Sequence, residues 1–128
     1  MRLLLDTHAF LWFVLNDAKL SSTARGVISD PLNAVAISPA SYWELAIKVS
    51  LGKYQLSAPF QLFMEQQIAV NRFEILHILV SHAAALTTLP LHHRDPFDRL
   101  LVAQAIAEQI PLVSGDAALD AYGIQRLW

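Results

Sequence analysis

Short runs of consecutive apolar residues alternate along the chain with longer segments in which apolar residues recur at helical spacing. The short runs predict strands that are buried on both faces, because turn residues bound them and they lack polar alternation. We predict such strands at residues 3–5, 34–37, 73–76 and 111–113, with an edge strand at 124–127. The longer segments predict helices at residues 9–15, 22–29, 39–51, 60–71, 81–88 and 96–109, with a short helix at 116–122.

This alternation predicts an α/β fold in which helices cover both faces of a parallel sheet. The length of 128 residues suits a single domain spanning residues 1–128. In such folds, ligands bind beyond the carboxyl ends of the strands, where the strand order changes direction. The residues that follow each predicted strand are therefore the first candidates for a functional site.

The composition narrows the class of protein. Hydrophobic residues make up 55% of the chain and charged residues 16%, which excludes an intrinsically disordered protein. A chain this apolar either buries both faces of its sheet or keeps an apolar surface for a partner. The absence of cysteine excludes disulfides and a thiolate zinc site. The net charge of −2 lacks the basic excess of a general nucleic-acid binder, so any such contact must be local or metal-mediated.

The first residues predict neither a membrane span nor a signal peptide. Asp6 interrupts the first apolar run, and the next run ends at Asn16 and Asp17, which is too short for a transmembrane helix. Asp6 and His8 also stand where a signal peptide needs an unbroken apolar region, and no small-residue cleavage site follows. We therefore expect a cytoplasmic protein with no membrane association.

Four acidic residues lie at or near the predicted carboxyl edge of the sheet. Asp6 directly follows the first strand, and Asp116 follows the fourth. Glu44 lies about two turns into the helix after the second strand, and Asp98 lies in the first turn of the helix that Pro96 opens. Since helices that start at this edge bring their first turns close to the strand ends, the four carboxylates are expected to gather there.

Taken singly, each acid also has a structural interpretation. Asp6 and Asp116 suit the cap position of a following helix. Glu44 fits a capping box with Ser41, or an ion pair with Lys48 one turn later. Taken together, four acids at one edge are not explained by independent caps.

Asp95 competes with Asp98 for a role in the site. Asp95 precedes Pro96 and is a natural helix cap, whereas Asp98 would then only favour the positive end of the helix. Several carboxylates in one place repel one another strongly unless a cation is present. Oxygen-only ligands suit Mg²⁺ or Mn²⁺, which polarise a phosphoryl oxygen and generate hydroxide from water. The expected reaction is hydrolysis of a phosphodiester.

The acids and their neighbours resemble a PIN domain, in particular a VapC-type toxin of a bacterial toxin–antitoxin pair. The resemblance covers nearly the whole chain, includes all four acids in order, and is most specific over residues 95–105, DPFDRLLVAQA. Its other segments are LLLDTH at 3–8, SYWELAIK at 41–48 and LVSGD at 112–116. It implies a three-layer α/β/α fold with a mainly parallel sheet and a Mg²⁺- or Mn²⁺-dependent endoribonuclease. It also implies a homodimer and an antitoxin that blocks the active site, often by inserting a basic segment.

From this we expect Asp6, Asp98 and Asp116 to hold the metal, and Glu44 to orient or deprotonate the attacking water. Thr7 and Ser114 offer hydroxyls to metal-bound water or phosphate, or else form local turn hydrogen bonds.

Two basic residues have two interpretations each. Arg99 reaches phosphate or, as we favour, pairs with a neighbouring acid. Lys48 steers RNA or serves as a counter-charge.

The histidines and aromatic residues carry weaker signals. We interpret His92, His93 and Arg94 as a solvated loop whose only expected functional role is contact with RNA. His8 lies at the mouth of the site or is a packed or capping residue, and His77 and His82 give no signal. We expect most of the aromatic side chains near the site to lie in the core. Alternatively, they form an exposed surface that binds a second copy or an antitoxin helix. These side chains are Trp12, Phe13, Tyr42 and Trp43.

Three other functions are weighed against the nuclease. A Rossmann-like phosphatase would use Asp6 as nucleophile, but His8 stands where a second acid is usual. A phosphorylated receiver domain needs an acceptor at the end of a middle strand, where this chain has Ser38 or His77. A catalytically inactive PIN-like binding module is disfavoured by the intact acids. Metal-dependent RNA cleavage separates the nuclease from all three.

Overall fold

A computed structural model describes all 128 residues. Five strands form the sheet: β1 Arg2–Leu5, β2 Ala34–Ile37, β3 Glu74–Ile75, β4 Leu112–Val113 and β5 Arg126–Leu127. The helices are α1 Thr7–Val14, α2 Ser22–Ser29, α3 Pro39–Ser50, α4 Phe60–Val70, α5 Val80–Thr87, α6 Pro96–Glu108 and a 3₁₀ helix, Ala117–Tyr122. The predicted α/β fold is confirmed, and every predicted strand and helix is present.

The sheet is parallel throughout, with strand order β3-β2-β1-β4-β5. The chain runs outward from β1 to β2 and β3, then returns across the sheet to place β4 on the other side of β1. The strand order therefore reverses between β1 and β4, which is where a parallel α/β sheet opens a crevice at its carboxyl edge. Asp6 and Asp116 follow these two strands.

Alternate residues of the strands supply two hydrophobic cores, one on each face of the sheet. Leu3 and Leu5 of β1 lie in a core completed by side chains of α1, α2, α3 and α4. Leu4 points to the opposite face, where Leu101, Val102 and other residues of α6 complete the second core. Both faces are thus covered, which accounts for the high apolar content without a membrane. No helix is long and apolar enough to cross a bilayer.

Most boundaries match the prediction to within two residues, and the differences have local causes. Helix α1 begins at Thr7 rather than residue 9, because the Asp6 carboxylate accepts a hydrogen bond from the Ala9 N–H at 2.7 Å. Helix α3 is capped by the Ser38 hydroxyl, so the capping box between Ser41 and Glu44 is wrong. Glu44 lies further inside the helix, where it has no capping role.

The aromatic residues near the carboxyl edge divide into packed and exposed side chains. Trp12, Phe13 and Tyr42 are partly buried against the first core, as expected. Trp43 is 63% exposed and contacts the ring of Phe97 edge-on, with 5.8 Å between centroids. For Trp43 the core interpretation is therefore wrong.

Candidate active site

The carboxyl edge of the sheet brings the predicted acids together. The Asp6 N–H donates to the Val113 carbonyl at 3.0 Å, which fixes the end of β1 beside the end of β4. Three residues beyond Val113, Asp116 caps the 3₁₀ helix by accepting from the Ala118 N–H at 3.0 Å. Both strand-end acids thus have the cap role that sequence allowed, and each keeps a second oxygen for other contacts.

Asp95, and not Asp98, caps α6. The Asp95 Oδ1 atom accepts from the N–H groups of Phe97 and Asp98 at 2.8 and 3.2 Å. The Asp98 carboxylate accepts no hydrogen bond from the helix, and the imidazole Nε2 atom of His93 lies 3.6 Å from its Oδ2 atom. Asp95 is therefore engaged as the helix cap, whereas the Asp98 carboxylate is not.

The environment of Asp98 disfavours its ionised form. Burial, together with the nearby charges of Asp95, Asp6 and Glu44, raises the pKa of Asp98 to about 7, although His93 acts in the opposite direction. Burial also raises the pKa of Asp6, although hydrogen bonds from Ser114 and the Ala9 N–H partly oppose this. The acids are therefore close enough to repel one another, as expected for a site that lacks enough positive charge of its own.

Glu44 is almost fully buried and has one free oxygen. Its Oε2 atom lies 3.1 Å from the Lys48 Nζ atom, which is the ion pair one helical turn apart that the sequence allowed. Its Oε1 atom is buried and has no hydrogen-bond partner. A buried carboxylate oxygen without a partner is unusual in a native structure and indicates a missing ligand, ion or water.

His93 belongs to the acid cluster, which corrects the interpretation of residues 92–94 as a solvated loop. Its Nε2 atom lies 2.9 Å from Asp116 Oδ2, and its Nδ1 atom accepts from the Asp95 N–H at 3.1 Å. This second contact favours the neutral tautomer with the proton on Nε2. His93, Asp98 and Asp116 each place one ligand atom within 4.8 Å of the others. His92 stays exposed and packs on Tyr122.

The other predicted site residues, Thr7, Ser114 and Arg99, already form hydrogen bonds within the protein. Ser114 Oγ accepts from the Asp116 N–H at 3.1 Å, which is the local hydrogen bond that was its alternative. The Thr7 hydroxyl donates to Ser41 Oγ at 3.1 Å, a bond between α1 and α3 and not a local turn hydrogen bond. Arg99 forms no ion pair with an acid. It donates instead to the carbonyls of Leu89 and Pro90, so it holds the loop before α6.

The structure adds a pocket of about 380 Å³ beside the acids. Asp6 and Asp116 form one side of it, and the other lining residues are His8, Trp12, Lys19, Gly115 and Trp128. The expectation that His8 lies at the mouth of the site agrees with this position. Lys19 and Trp128 were not predicted, because nothing in their local sequence marks them as near the site.

The arrangement fits a hard divalent cation. The donors are carboxylate oxygens with a single imidazole nitrogen, the chemistry that Mg²⁺ and Mn²⁺ accept. The unpartnered Glu44 Oε1 and the raised pKa of Asp98 both indicate that the folded chain lacks one or more positive charges at this point. A cation there would complement the cluster of acids.

Comparisons with known proteins agree with this geometry. The PIN domain family model matches residues 3–125. Ribonuclease VapC22 of Mycobacterium tuberculosis is 30% identical over 120 residues, which cover 93% of this chain and 90% of that protein.

Solved structures share the fold at lower identity. The structure of VapBC2 from Rickettsia felis, bound to a DNA fragment from the VapBC2 promoter, matches with a TM-score of 0.72 at 19% identity. The match covers 98% of this chain and 97% of the chain in that structure. VapBC-1 from nontypeable Haemophilus influenzae has a TM-score of 0.66 at 17% identity and covers 98% and 96%. The family model spans nearly the whole chain and the relative in M. tuberculosis spans most of it, so this chain belongs to the PIN-domain family, among its VapC-type members.

Proposed function

We propose that the protein is a Mg²⁺- or Mn²⁺-dependent endoribonuclease and the toxin of a toxin–antitoxin pair. The observation that carries the proposal is the cluster of uncompensated acids at the switch in strand order, with one buried oxygen of Glu44 left unpartnered. The relative in M. tuberculosis, named a ribonuclease, supports RNA as the substrate.

In this proposal Asp6, Asp98 and Asp116 hold the cation, directly or through water. A bound divalent cation supplies Lewis-acid polarisation of the phosphate and lowers the pKa of water. Two of the three carboxylates, those of Asp6 and Asp116, are already fixed in position by the helix N–H groups that they cap, and Asp98 lies in the first turn of α6. Little reorganisation is then needed when the cation binds.

Glu44 orients or deprotonates the attacking water through Oε1. This atom has no other partner, whereas Oε2 is held by Lys48. The ion pair keeps the carboxylate in one orientation, so Lys48 acts as a positioning residue for Glu44. Of its two interpretations, the structure favours the counter-charge over a direct contact with RNA.

An antitoxin is the expected protein partner. The similar solved structures are VapBC assemblies, and the acidic edge of this chain complements the inserted basic segment that the family resemblance implies. The proposal also includes a homodimer and a cytoplasmic location, where RNA and antitoxin are both available. Trp43 is a candidate for either protein interface, since it is a large exposed aromatic beside the site.

The experiment is cleavage of total cellular RNA by purified protein, freed of any antitoxin. We expect discrete fragments with Mg²⁺ or Mn²⁺, and none with EDTA. Asp6→Asn, Glu44→Gln and Asp98→Asn are each expected to abolish cleavage while the thermal unfolding curve stays cooperative. Asp120→Asn, which alters an exposed ion pair with Arg126, is the matched control and is expected to cleave normally.

The outcome also separates the competing functions. Absence of cleavage by folded, metal-loaded protein would favour the binding-only module or a single RNA not present in the mixture. A covalent phosphoaspartate at Asp6 would favour the phosphatase. Full activity in any of the three acid variants would remove that residue from the mechanism.

A further inference from the structure

The pocket beside the acids has a composition of its own. We call it the aromatic pocket and define it by His8, Trp12, Lys19, Gly115 and Trp128. Only Asp6 and Asp116 are shared with the acid cluster. Its volume of about 380 Å³ falls in the range of small-ligand sites, about 300–1,000 Å³.

Two indoles and an imidazole form its walls. The His8 ring stacks on Trp12 with 5.2 Å between centroids and 29° between planes. The Trp128 ring also lies against Trp12, tilted by 58° with centroids 5.9 Å apart. His8 is exposed and the two tryptophans are only partly buried, so flat aromatic surface remains available to a ligand.

The position of Trp128 depends on Gly115. A Cβ atom added at Gly115 would meet the Trp128 ring at 3.0 Å, which is closer than side chains ordinarily approach. The residue before Asp116 therefore has to be small for the indole to lie against the strand end. The aromatic wall and the acid are thus placed by adjacent residues of one turn.

Lys19 supplies a positive charge at the aromatic pocket. Its Nζ atom lies 5.9 Å from the centroid of the Trp12 ring, and it forms no ion pair. Its own N–H is held by the Asp17 carboxylate at 2.9 Å, which fixes the turn that presents it. An exposed, unpaired ammonium beside aromatic surface is suited to a phosphate whose base stacks nearby.

We infer that the aromatic pocket binds one unpaired nucleobase of single-stranded RNA, and that Lys19 contacts a backbone phosphate beside the scissile bond. Aromatic rings accept any base face, and single-stranded RNA is recognised largely through such stacking. The wall shared with Asp6 and Asp116 brings the bound nucleotide next to the acids. The inference rests on the proposed ribonuclease function and specifies how that site holds its substrate.

Tryptophan fluorescence tests this directly. Of the three tryptophans only Trp43 lies outside the pocket, so Trp43→Phe leaves two reporters that both line it. Combined with Glu44→Gln to prevent cleavage, this background is titrated with a single-stranded hexaribonucleotide in Mg²⁺. We expect saturable quenching by the single strand and none by a matched duplex, whose bases are already stacked.

Substitutions then locate the contact. His8→Ala and Trp128→Ala should each weaken binding by about fivefold to a hundredfold, with Trp128→Phe retaining most of it. Trp128→Phe also keeps the test valid if Trp128→Ala unfolds. Lys19→Ala should reduce the slope of log affinity against log salt by about 0.7, as expected for one lost phosphate contact on a single strand. Lys53→Ala, an exposed lysine outside the pocket, is the matched control and should change neither quantity.

Absence of quenching, or an equal effect of Lys19→Ala and Lys53→Ala, would overturn the inference. The proposed function fails separately. Wild-type protein that does not cleave RNA but shows quenching would leave the pocket assignment standing without the nuclease. Wild-type protein that cleaves RNA, with cleavage unchanged by His8→Ala and no quenching, would support the nuclease and contradict the pocket assignment.

Discussion

The two ends of α6 place a partly exposed acid in opposite electrostatic surroundings. At its carboxyl end, Glu108 lies 3.6 Å from Arg2 Nη1 and 3.9 Å from His82 Nε2, so the acid has two basic neighbours. At its amino end, Asp98 has one partly exposed histidine at 3.6 Å and several acids around it. A charge removed from water is costly unless an opposite charge lies near it, so stability explains the basic neighbours of Glu108 but not the gathering of acids around Asp98.

The carboxyl end shows what a structural polar cluster looks like in this fold. His82 is fully buried, and its Nδ1 atom accepts from the Leu79 N–H at 3.0 Å at the start of α5. Gln104 donates to the Leu76 carbonyl at 3.2 Å, which ties α6 to the segment after β3. These groups connect one element to another, whereas the groups at the amino end converge on a point in space. His82 Nε2 and Gln104 Oε1 are also buried without a hydrogen-bond partner, so the difference between the two ends lies in their charges and not in complete pairing. That difference in charge supports the proposal that the acid edge is the functional end.

The largest expected effect is loss of activity in Asp98→Asn. Removing a carboxylate that holds the cation should reduce RNA cleavage at least about a hundredfold, measured as initial rate on a defined RNA. The free energy of unfolding without metal should not fall, because the charge that is removed has no adequate partner. If Asp120→Asn, which alters an acid that is paired with Arg126, lost as much activity, the loss in Asp98→Asn could not be attributed to its place among unpaired acids.

At the other end of the helix the expectation is reversed. His82→Ala should lower the free energy of unfolding by about 2–4 kcal/mol, since it leaves a cavity and an unpaired Leu79 N–H. Urea titration measures this, with exposed His77→Ala as control. Activity per folded molecule should stay unchanged. An inactive but stable His82→Ala would show that the carboxyl end also serves the reaction.

The pH dependence of stability should differ between the wild type and Asp98→Asn. Because the pKa of Asp98 is raised from 3.8 to about 7 in the folded state, the folded protein binds more protons than the unfolded chain between these values. The free energy of unfolding contributed by Asp98 therefore falls as pH rises from about 4 to about 7. Urea titrations in EDTA at several pH values should show a shallower decline in Asp98→Asn. Parallel curves would contradict the assignment.

A smaller effect is expected at Lys48. Lys48→Met removes the partner of Glu44 Oε2 and should lower kcat by about tenfold or less, with KM for RNA unchanged. Steady-state kinetics separates this from a role in RNA binding, which would raise KM instead. The stability change should stay within about 1 kcal/mol, as for other partly exposed ion pairs.

Local sequence predicted the elements because the apolar periodicity of this chain is strong. Residues 22–29 and 34–37 match the structure to the residue, and the acids could be predicted because each follows a strand or lies in the first two turns of a helix. His93 was missed because its role depends on how the loop before α6 folds back over Asp116, a contact between residues 23 apart. Lys19 and Trp128 approach each other only through tertiary packing, for which neither periodicity nor motif spacing gives a signal.

The amino end of α6 gathers acids that a divalent cation would complement, whereas the acid at the carboxyl end already has basic neighbours. Calorimetric titration of metal-free protein with Mn²⁺ at about pH 7, in buffers of different ionisation enthalpy, tests this difference most directly. The account predicts saturable binding to the wild type with release of protons, because Asp98 with its raised pKa must ionise fully to hold the ion. It also predicts that this binding is strongly weakened in Asp98→Asn and retained in His82→Ala. Absence of Mn²⁺ binding by folded wild-type protein, or equal binding by Asp98→Asn, would contradict it.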